Sequence, residues 1–206
     1  YTVGVVDLTA GELGTRGNAA LRAEEAARAS AIMGLAFREN LGLRDGFFDL
    51  SESNKMPIIR AVRKYRPEIV ITNAIRDRHP DHGRASQLVS ESCFLSGLPK
   101  IEMEDNGQLL QAWRPKQVYH MIQDRYITPS ICVDITPWIE KKNEAVLAFK
   151  SQFYDPVSSE PHTPISGLDF FEFLRARARE MGRLIGVEYA EGYTMEGPVK
   201  KENLLL

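Results

Sequence analysis

Cysteine is scarce in this sequence, and the only two, Cys93 and Cys132, lie far apart in apolar contexts. They do not form a CxxC site, and their surroundings are typical of a helix and a strand. We therefore predict buried free thiols rather than a disulfide, which favours a reducing, cytoplasmic compartment.

Two further features are missing. No apolar run approaches the roughly 20 residues that a membrane-spanning helix needs. The formal net charge is only −2, which gives no electrostatic reason to expect nucleic acid or an anionic membrane surface as a partner. We therefore predict neither of these partners.

Strand and helix signals alternate along residues 1–206, which favours a single α/β domain with a mainly parallel sheet covered by helices. Asn18 fits the N-cap of the first helix and Gly34 its end. Polar segments at 11–18 and 74–83 each follow a strand. Because ligands bind at the carboxyl ends of strands in open α/β sheets, we expect the two segments to form one site. The predicted strands are 2–8, 69–72, 117–122 and 131–135, and the predicted helices are 19–33, 56–64, 83–96, 136–149 and 168–185.

The most informative segment is Asp77-Arg78-His79-Pro80-Asp81-His82. Pro80 disfavours helical backbone angles at His79, so the two imidazoles are predicted on the loop between a strand and a helix. Two imidazoles, two carboxylates and a guanidinium would each need a partner if they were buried, which makes them poor core residues. The alternative is a solvated, charged turn.

Such a loop suits metal-assisted hydrolysis. Neutral imidazole binds Zn²⁺, and a catalytic zinc usually has three protein ligands and a water. One histidine could bind the metal while the other stabilises an oxyanion or protonates a leaving amine, and Asp81 could orient an imidazole. A further ligand must come from elsewhere, and His120 and His162 are the remaining histidines.

The segment Arg78-His-Pro-Asp-His82 resembles the second signature of the LmbE-like (PIG-L-type) zinc deacetylases. Further segments resemble the same family in order, and the resemblance extends over nearly the whole chain. These segments are Asp7-Leu-Thr9, Gly11-Glu-Leu-Gly-Thr-Arg-Gly17, Leu21-Arg-Ala-Glu-Glu-Ala26, Phe149-Lys-Ser-Gln-Phe-Tyr154 and Tyr189-Ala-Glu-Gly192.

The resemblance implies a three-layer, Rossmann-like fold, a Zn²⁺ or other divalent cofactor and a homo-oligomer. It is most similar to the deacetylases of bacillithiol biosynthesis, which convert N-acetylglucosaminyl-malate to glucosaminyl-malate. It further implies that His82 is a metal ligand, that His79 stabilises the oxyanion or acts as acid, and that Asp81 orients it. Arg22 and Arg78 would face the substrate, since a guanidinium suits the carboxylates of malate. A deacetylase of another GlcNAc conjugate, such as an inositol glycoside, is the alternative.

The family's first signature, Ala-His-Pro-Asp-Asp-x-Glu, is absent from these residues. In the family it supplies two zinc ligands and the general base, about one strand-helix unit before the position of Tyr1. We therefore expect the fold to lack its first strand-helix unit here and the natural protein to be longer. A non-catalytic sugar-binding or oligomeric scaffold is the competing hypothesis.

Other features favour structural roles. His120 alternates with apolar residues and is predicted to be a satisfied strand histidine, and His162 is predicted to be solvated in a proline-rich loop. The glycines at 11, 14 and 17 fit no phosphate-binding pattern and are predicted to serve turns.

Overall fold

A computed structural model of the chain describes residues 1–198. It contains helices and strands in alternation, as the sequence predicts, and the α/β class is confirmed. The strands are β1 (Gly4–Asp7), β2 (Phe37–Asn40), β3 (Ile69–Thr72), β4 (Glu104–Asp105), β5 (Gln108–Leu109), β6 (Gln117–Met121), β7 (Ile131–Asp134) and β8 (Ala190–Met195). The helices are α1 (Ala19–Met33), α2 (Glu52–Tyr65), α3 (Pro80–Leu95), α4 (Ile139–Leu147) and α5 (Leu168–Ile185), with a 3-10 turn at Thr136–Trp138 before α4.

The chain divides into two compact units. The first contains residues 1–49 and 132–191, and the second contains residues 50–131 and the segment from Gly192 onward. The chain passes between the units after Asp49, within β7 and within β8. A single domain over 1–206 stays a prediction.

In the first unit, β1 and β2 pair in parallel, with Gly4 opposite Phe37 and Asp7 opposite Asn40. Local chemistry sets the ends of α1. The side chain of Asn18 accepts a hydrogen bond from the amide of Leu21 (2.9 Å), and Gly34 ends the helix in the left-handed conformation at φ 70°. Helix α1 packs against α4.

In the second unit, β3 pairs in parallel with β6, with Thr72 opposite His120. β6 pairs antiparallel with β8, so this sheet is mixed. Because β3 and β6 are parallel neighbours, their carboxyl ends lie at one edge of the sheet. Helices α2 and α3 pack together, and Ile59 and Leu88 are buried there.

Several predicted boundaries require correction. Helix α3 begins at Pro80 rather than at residue 83, because a proline suits the first turn of a helix. The predicted helix 136–149 is a 3-10 turn followed by the shorter α4. Strands β2, β4, β5 and β8 were not predicted. Within residues 1–198 no helix is both long and apolar enough to cross a membrane.

Candidate active site

The loop that follows β3 is tied to the loop that follows β6. The side-chain oxygen of Gln123 accepts hydrogen bonds from the amide of Ala74 (3.0 Å) and from Nδ2 of Asn73 (3.2 Å). Both loops leave the same edge of the sheet. This tie fixes the start of the segment that carries His79 and His82.

Asp77 is the centre of the hydrogen bonds in this loop, and its side chain has no exposed surface. Its Oδ1 accepts from the amides of Asp124 (3.1 Å) and Arg125 (2.8 Å), and its Oδ2 lies 2.5 Å from Nδ1 of His82. Burial raises the pKa of this carboxyl. The hydrogen bonds from His82, Arg125 and Arg78, with the charge of His82, outweigh burial and hold its pKa below the usual value. Asp77 is therefore a carboxylate, and Nδ1 of His82 is the donor.

This contact sets the tautomer of His82. A neutral imidazole that donates from Nδ1 has its lone pair on Nε2. The side chain of His82 is 32% exposed, and no hydrogen bond within residues 1–198 involves Nε2. A metal-ligating histidine usually donates a hydrogen bond from one ring nitrogen to a carboxylate and binds the metal through the lone pair of the other.

His79 has the opposite arrangement. It is the N-cap of α3, in an extended conformation (φ −81°, ψ 127°), and its Nδ1 accepts a hydrogen bond from the amide of Asp81 (3.2 Å). The neutral ring therefore carries its proton on Nε2, as a donor. The rings of His79 and His82 are 5.4 Å apart between centroids and inclined by 32°. The segment thus brings a nitrogen lone pair and an N–H donor close together at the positive N-terminus of a sixteen-residue helix.

The other two predicted residues of this loop lie beside the histidines. Asp81 is buried, and its Oδ1 accepts from Nη1 of Arg84 (3.0 Å). The carboxylate on the His82 ring is that of Asp77. Arg78 is exposed, and its Nε donates to Oδ2 of Asp124 (3.1 Å). The roles of Asp81 and Arg78 stay predictions.

Arg22 belongs to the first unit, where its guanidinium holds together the loop before α1. It donates to the carbonyl oxygens of Gly11 (2.6 Å) and Arg16 (3.2 Å) and to Oε1 of Gln152 (2.6 Å). A Cβ at residue 11 or Gly14 would overlap this guanidinium, so these glycines serve close packing as well as the turn. Substrate binding by Arg22 stays a prediction, as does the joining of segments 11–18 and 74–83 in one site.

A divalent ion is the cofactor implied by the resemblance, and His82 fits it as one ligand because its Nε2 is free and Asp77 supports its Nδ1. Within residues 1–198 no group of three or more His, Cys, Asp or Glu side chains could hold an ion. The described residues therefore fit the ion in part, with a single placed ligand.

The remaining histidines are placed as the sequence suggested. His120 is 3% exposed, with Nδ1 2.7 Å from Oγ of Ser86 and Nε2 2.8 Å from Oε1 of Glu196. Its hydrogen bonds are therefore satisfied. His162 is exposed in the loop before α5.

Asp77 is the important residue that sequence reasoning left without a role. The spacing Asp77-x₄-His82 carried a signal, because a carboxylate commonly supports a metal-ligating histidine. Asp81 was assigned instead as the neighbour that orients His79, and no carboxylate was assigned to His82. Which carboxylate reaches His82 depends on the path of the loop, which the amides of Asp124 and Arg125 fix from another part of the sequence.

Comparisons with known proteins show what the whole chain is similar to. A family model described as PIG-L, GlcNAc-PI de-N-acetylase, matches residues 1–93. A diacetylchitobiose deacetylase of Thermococcus kodakarensis is 31% identical over 200 residues, which cover 93% of this chain and 68% of that protein.

Two solved structures are similar over most of the chain. A conserved protein of Thermus thermophilus is 33% identical, with a TM-score of 0.85 over 100% of this chain and 86% of that one. An N,N′-diacetylchitobiose deacetylase of Pyrococcus horikoshii is 26% identical, with a TM-score of 0.76 over 95% of this chain and 73% of that one.

Proposed function

The chain belongs to the PIG-L family of de-N-acetylases, hydrolases that act on N-acetyl amides, and on that basis we propose that it removes the acetyl group from a GlcNAc-containing conjugate. The relatives in T. kodakarensis and P. horikoshii are deacetylases of diacetylchitobiose, a substrate with N-acetyl groups on sugars. A sugar acetamide is therefore the substrate class that similarity supports.

The observation that carries the proposal is the complementary pair of imidazoles. His82 presents a lone pair at Nε2 and His79 presents an N–H at Nε2, with their ring centroids 5.4 Å apart. Amide hydrolysis needs an electrophilic aid for the carbonyl and a donor for the oxyanion or the leaving nitrogen. The two rings supply both kinds of group from one short loop.

Each residue then has a defined task. When bound, a divalent ion such as Zn²⁺ would polarise the acetamide carbonyl and lower the pKa of a water molecule. His82 would hold that ion through Nε2, and the carboxylate of Asp77 would keep its proton on Nδ1. Nε2–H of His79 would donate to the carbonyl oxygen as it gains negative charge. Protonation of Nδ1, which ends its hydrogen bond with the amide of Asp81, would let His79 pass the Nε2 proton to the departing amine. The N-terminus of α3 favours the same negative charge.

The second part of the substrate is the group attached to the GlcNAc. A malate aglycone was predicted from the resemblance to the bacillithiol deacetylases, with Arg22 facing its carboxylates, but two nitrogens of that guanidinium already donate to Gly11, Arg16 and Gln152. A neutral GlcNAc conjugate such as diacetylchitobiose therefore has better support. N-acetylglucosaminyl-malate remains the second candidate, favoured by the exposed guanidinium of Arg78.

The test is acetate release by the protein reconstituted with Zn²⁺. Diacetylchitobiose, N-acetylglucosaminyl-malate and a GlcNAc-inositol would be compared at equal concentration. We expect stoichiometric acetate and free amine from at least one of them, and loss of release in His82→Gln. Faster turnover of the malate conjugate would restore the malate assignment. A folded, metal-loaded protein that released no acetate from any of the three would support the non-catalytic scaffold.

A further inference from the structure

Arg16 is a buried cation with few partners. The residue is 4% exposed, its Nη2 donates to Oγ of Ser158 (2.5 Å), and its Nε is buried with no hydrogen-bond partner. No carboxylate within residues 1–198 forms an ion pair with this guanidinium. Because a guanidinium stays protonated at any ordinary pH, it cannot avoid the cost of burial by becoming neutral.

Arg63 shows how the same chain satisfies another buried guanidinium. It is 3% exposed and donates to the carbonyl oxygens of Ser96, Leu98 and Ile101 at 2.6 to 2.9 Å. Its nitrogens are thus occupied by protein acceptors. Among the described residues, the Arg16 guanidinium has a single acceptor, the hydroxyl of Ser158, so its other N–H groups are left to bind a ligand.

A pocket lies beside Arg16. Arg16 lines a cavity of about 260 Å³ in the first unit, together with Tyr154, Ser158, His162 and Ser166. The pocket also includes the start of α5, whose N-cap Gly167 has no side chain to cap the free amides. Asp169 in the first turn offsets part of the positive end of this eighteen-residue helix.

Two carboxylates also line the pocket, and each is bound to backbone amides. Glu160 accepts from the amide of Gly17 with both oxygens (3.1 and 3.0 Å), and Asp155 accepts from the amide of Val157 (3.1 Å). Neither forms an ion pair with Arg16. The pocket therefore keeps a positive edge at Arg16, although acidic groups stand on its other walls.

We propose that this pocket binds one carboxylate or phosphate group of a small acid, with Arg16 as the recognising residue. Guanidinium groups pair with these anions through two parallel hydrogen bonds, which would use donors that now lack acceptors. The volume lies below the roughly 300 to 1,000 Å³ of pockets for drug-sized ligands, so the expected occupant is a small acid rather than a large conjugate. The proposal does not depend on deacetylation.

The test is calorimetric titration of the protein with malate, with inorganic phosphate and with neutral GlcNAc. We expect saturable binding of malate or phosphate with a dissociation constant below about 1 mM. Binding of malate alone would identify a carboxylate site, and binding of phosphate alone a phosphate site. Absence of saturable binding by both anions, or equal binding of GlcNAc, would overturn the proposal.

Four variants test whether Arg16 binds the anion. Arg16→Gln should weaken it at least about tenfold, and Arg16→Lys, which keeps the charge without the paired donors, should also weaken it. The exposed Arg28→Gln serves as the matched control and His82→Gln as the control for the proposed deacetylase site, and both should leave it unchanged. Anion binding that persisted in Arg16→Gln would contradict the assignment.

A stability measurement separates recognition from a structural role. The backbone carbonyl of Arg16 accepts from Arg22 and Gln152 whatever side chain it carries. Removing an unpaired buried charge should therefore leave the thermal midpoint of the ligand-free protein unchanged or higher. The anion should raise the midpoint of the wild type and not that of Arg16→Gln. A lower midpoint in ligand-free Arg16→Gln, with no anion effect in the wild type, would show a structural arginine.

Discussion

Nδ1 of His82 lies 2.5 Å from Oδ2 of Asp77, five residues earlier in the chain. The other oxygen of Asp77 accepts from two backbone amides, so the carboxylate is held on one side by the fold and on the other by the ring. The consequence is a histidine whose outward nitrogen is free to bind a metal ion. This pair determines how the site should respond to substitution and to pH.

Asp77→Asn should lower activity while the protein stays folded. An amide cannot supply the negative charge that fixes the proton on Nδ1 of His82, and loss of such a supporting group typically costs about 10- to 100-fold in metal affinity or activity. The readouts are kcat/KM for acetate release and the metal content after dialysis. Glu68→Gln, at an exposed residue of an ion pair with Lys116, is the control. Equal activity in Asp77→Asn and wild type would exclude the supporting role.

Replacing His79 and replacing His82 should have different effects on metal content and on kcat. His82→Gln should lose metal, because the proposed ligand nitrogen is gone. His79→Gln should keep its metal and lose kcat by about 10²- to 10⁴-fold, the usual contribution of a positioned acid or base. Elemental analysis beside steady-state kinetics separates the two. Loss of metal in His79→Gln with metal retained in His82→Gln would reverse the assigned roles.

The pKa of Asp77 predicts a pH-dependent contribution to stability. Because the pKa is lower in the folded protein than its usual value of 3.8, the ionised carboxyl is favoured by folding. That contribution is complete above the usual pKa and disappears as the pH falls through the lower, folded value. The difference in unfolding free energy between wild type and Asp77→Asn should therefore be larger at pH 5 than at pH 2. Denaturant melts at both pH values measure it, and a difference that grew on acidification would have the wrong sign.

Sequence reasoning worked where the cause of a structure was local. The bounds of α1 were predicted because Asn18 caps it and Gly34 ends it, and α5 ends at Gly186 by the same left-handed geometry. Strand β3 was predicted from four adjacent apolar or β-branched residues, Ile69–Thr72. In each case the determining residues lie within or next to the element.

It was less successful where the cause was distant in the sequence. Strand β2 has the polar sequence Phe-Arg-Glu-Asn and is a strand because β1 lies beside it. Strand β8 contains a glycine and pairs with β6, some 75 residues earlier in the chain. The missed role of Asp77 as the carboxylate on His82 has the same origin, because amides of the loop after β6 position it.

Cys93 should be unreactive in the folded protein. Burial, and then the negative charge of Glu196, raise the pKa of its thiol to about 12, so almost no thiolate exists at pH 8. Cys132 is half-buried, and burial also raises its pKa. In Cys132→Ser, a thiol reagent at pH 8 should therefore label nothing before denaturation and one thiol after it. Rapid labelling of the native variant would show that Cys93 is accessible.

Ser86 should matter for stability through His120. Its hydroxyl lies 2.7 Å from Nδ1 of His120, and both residues are 3% exposed. Ser86→Ala would leave a buried ring nitrogen without a partner, at a cost of about 1 to 3 kcal/mol. Ser90→Ala, one turn later on α3 and half-buried, is the control. Denaturant unfolding of the two variants gives the comparison, and equal stabilities would mean that the contact contributes nothing.

The most direct test of the deacetylase proposal is acetate release from diacetylchitobiose by the metal-loaded protein, compared among wild type, Asp77→Asn and His82→Gln. The proposal predicts one acetate for each free amine formed, an intermediate rate for Asp77→Asn and none for His82→Gln. Acetate released by His82→Gln at the wild-type rate would contradict it, because hydrolysis would then proceed without the nitrogen on which the proposed site depends.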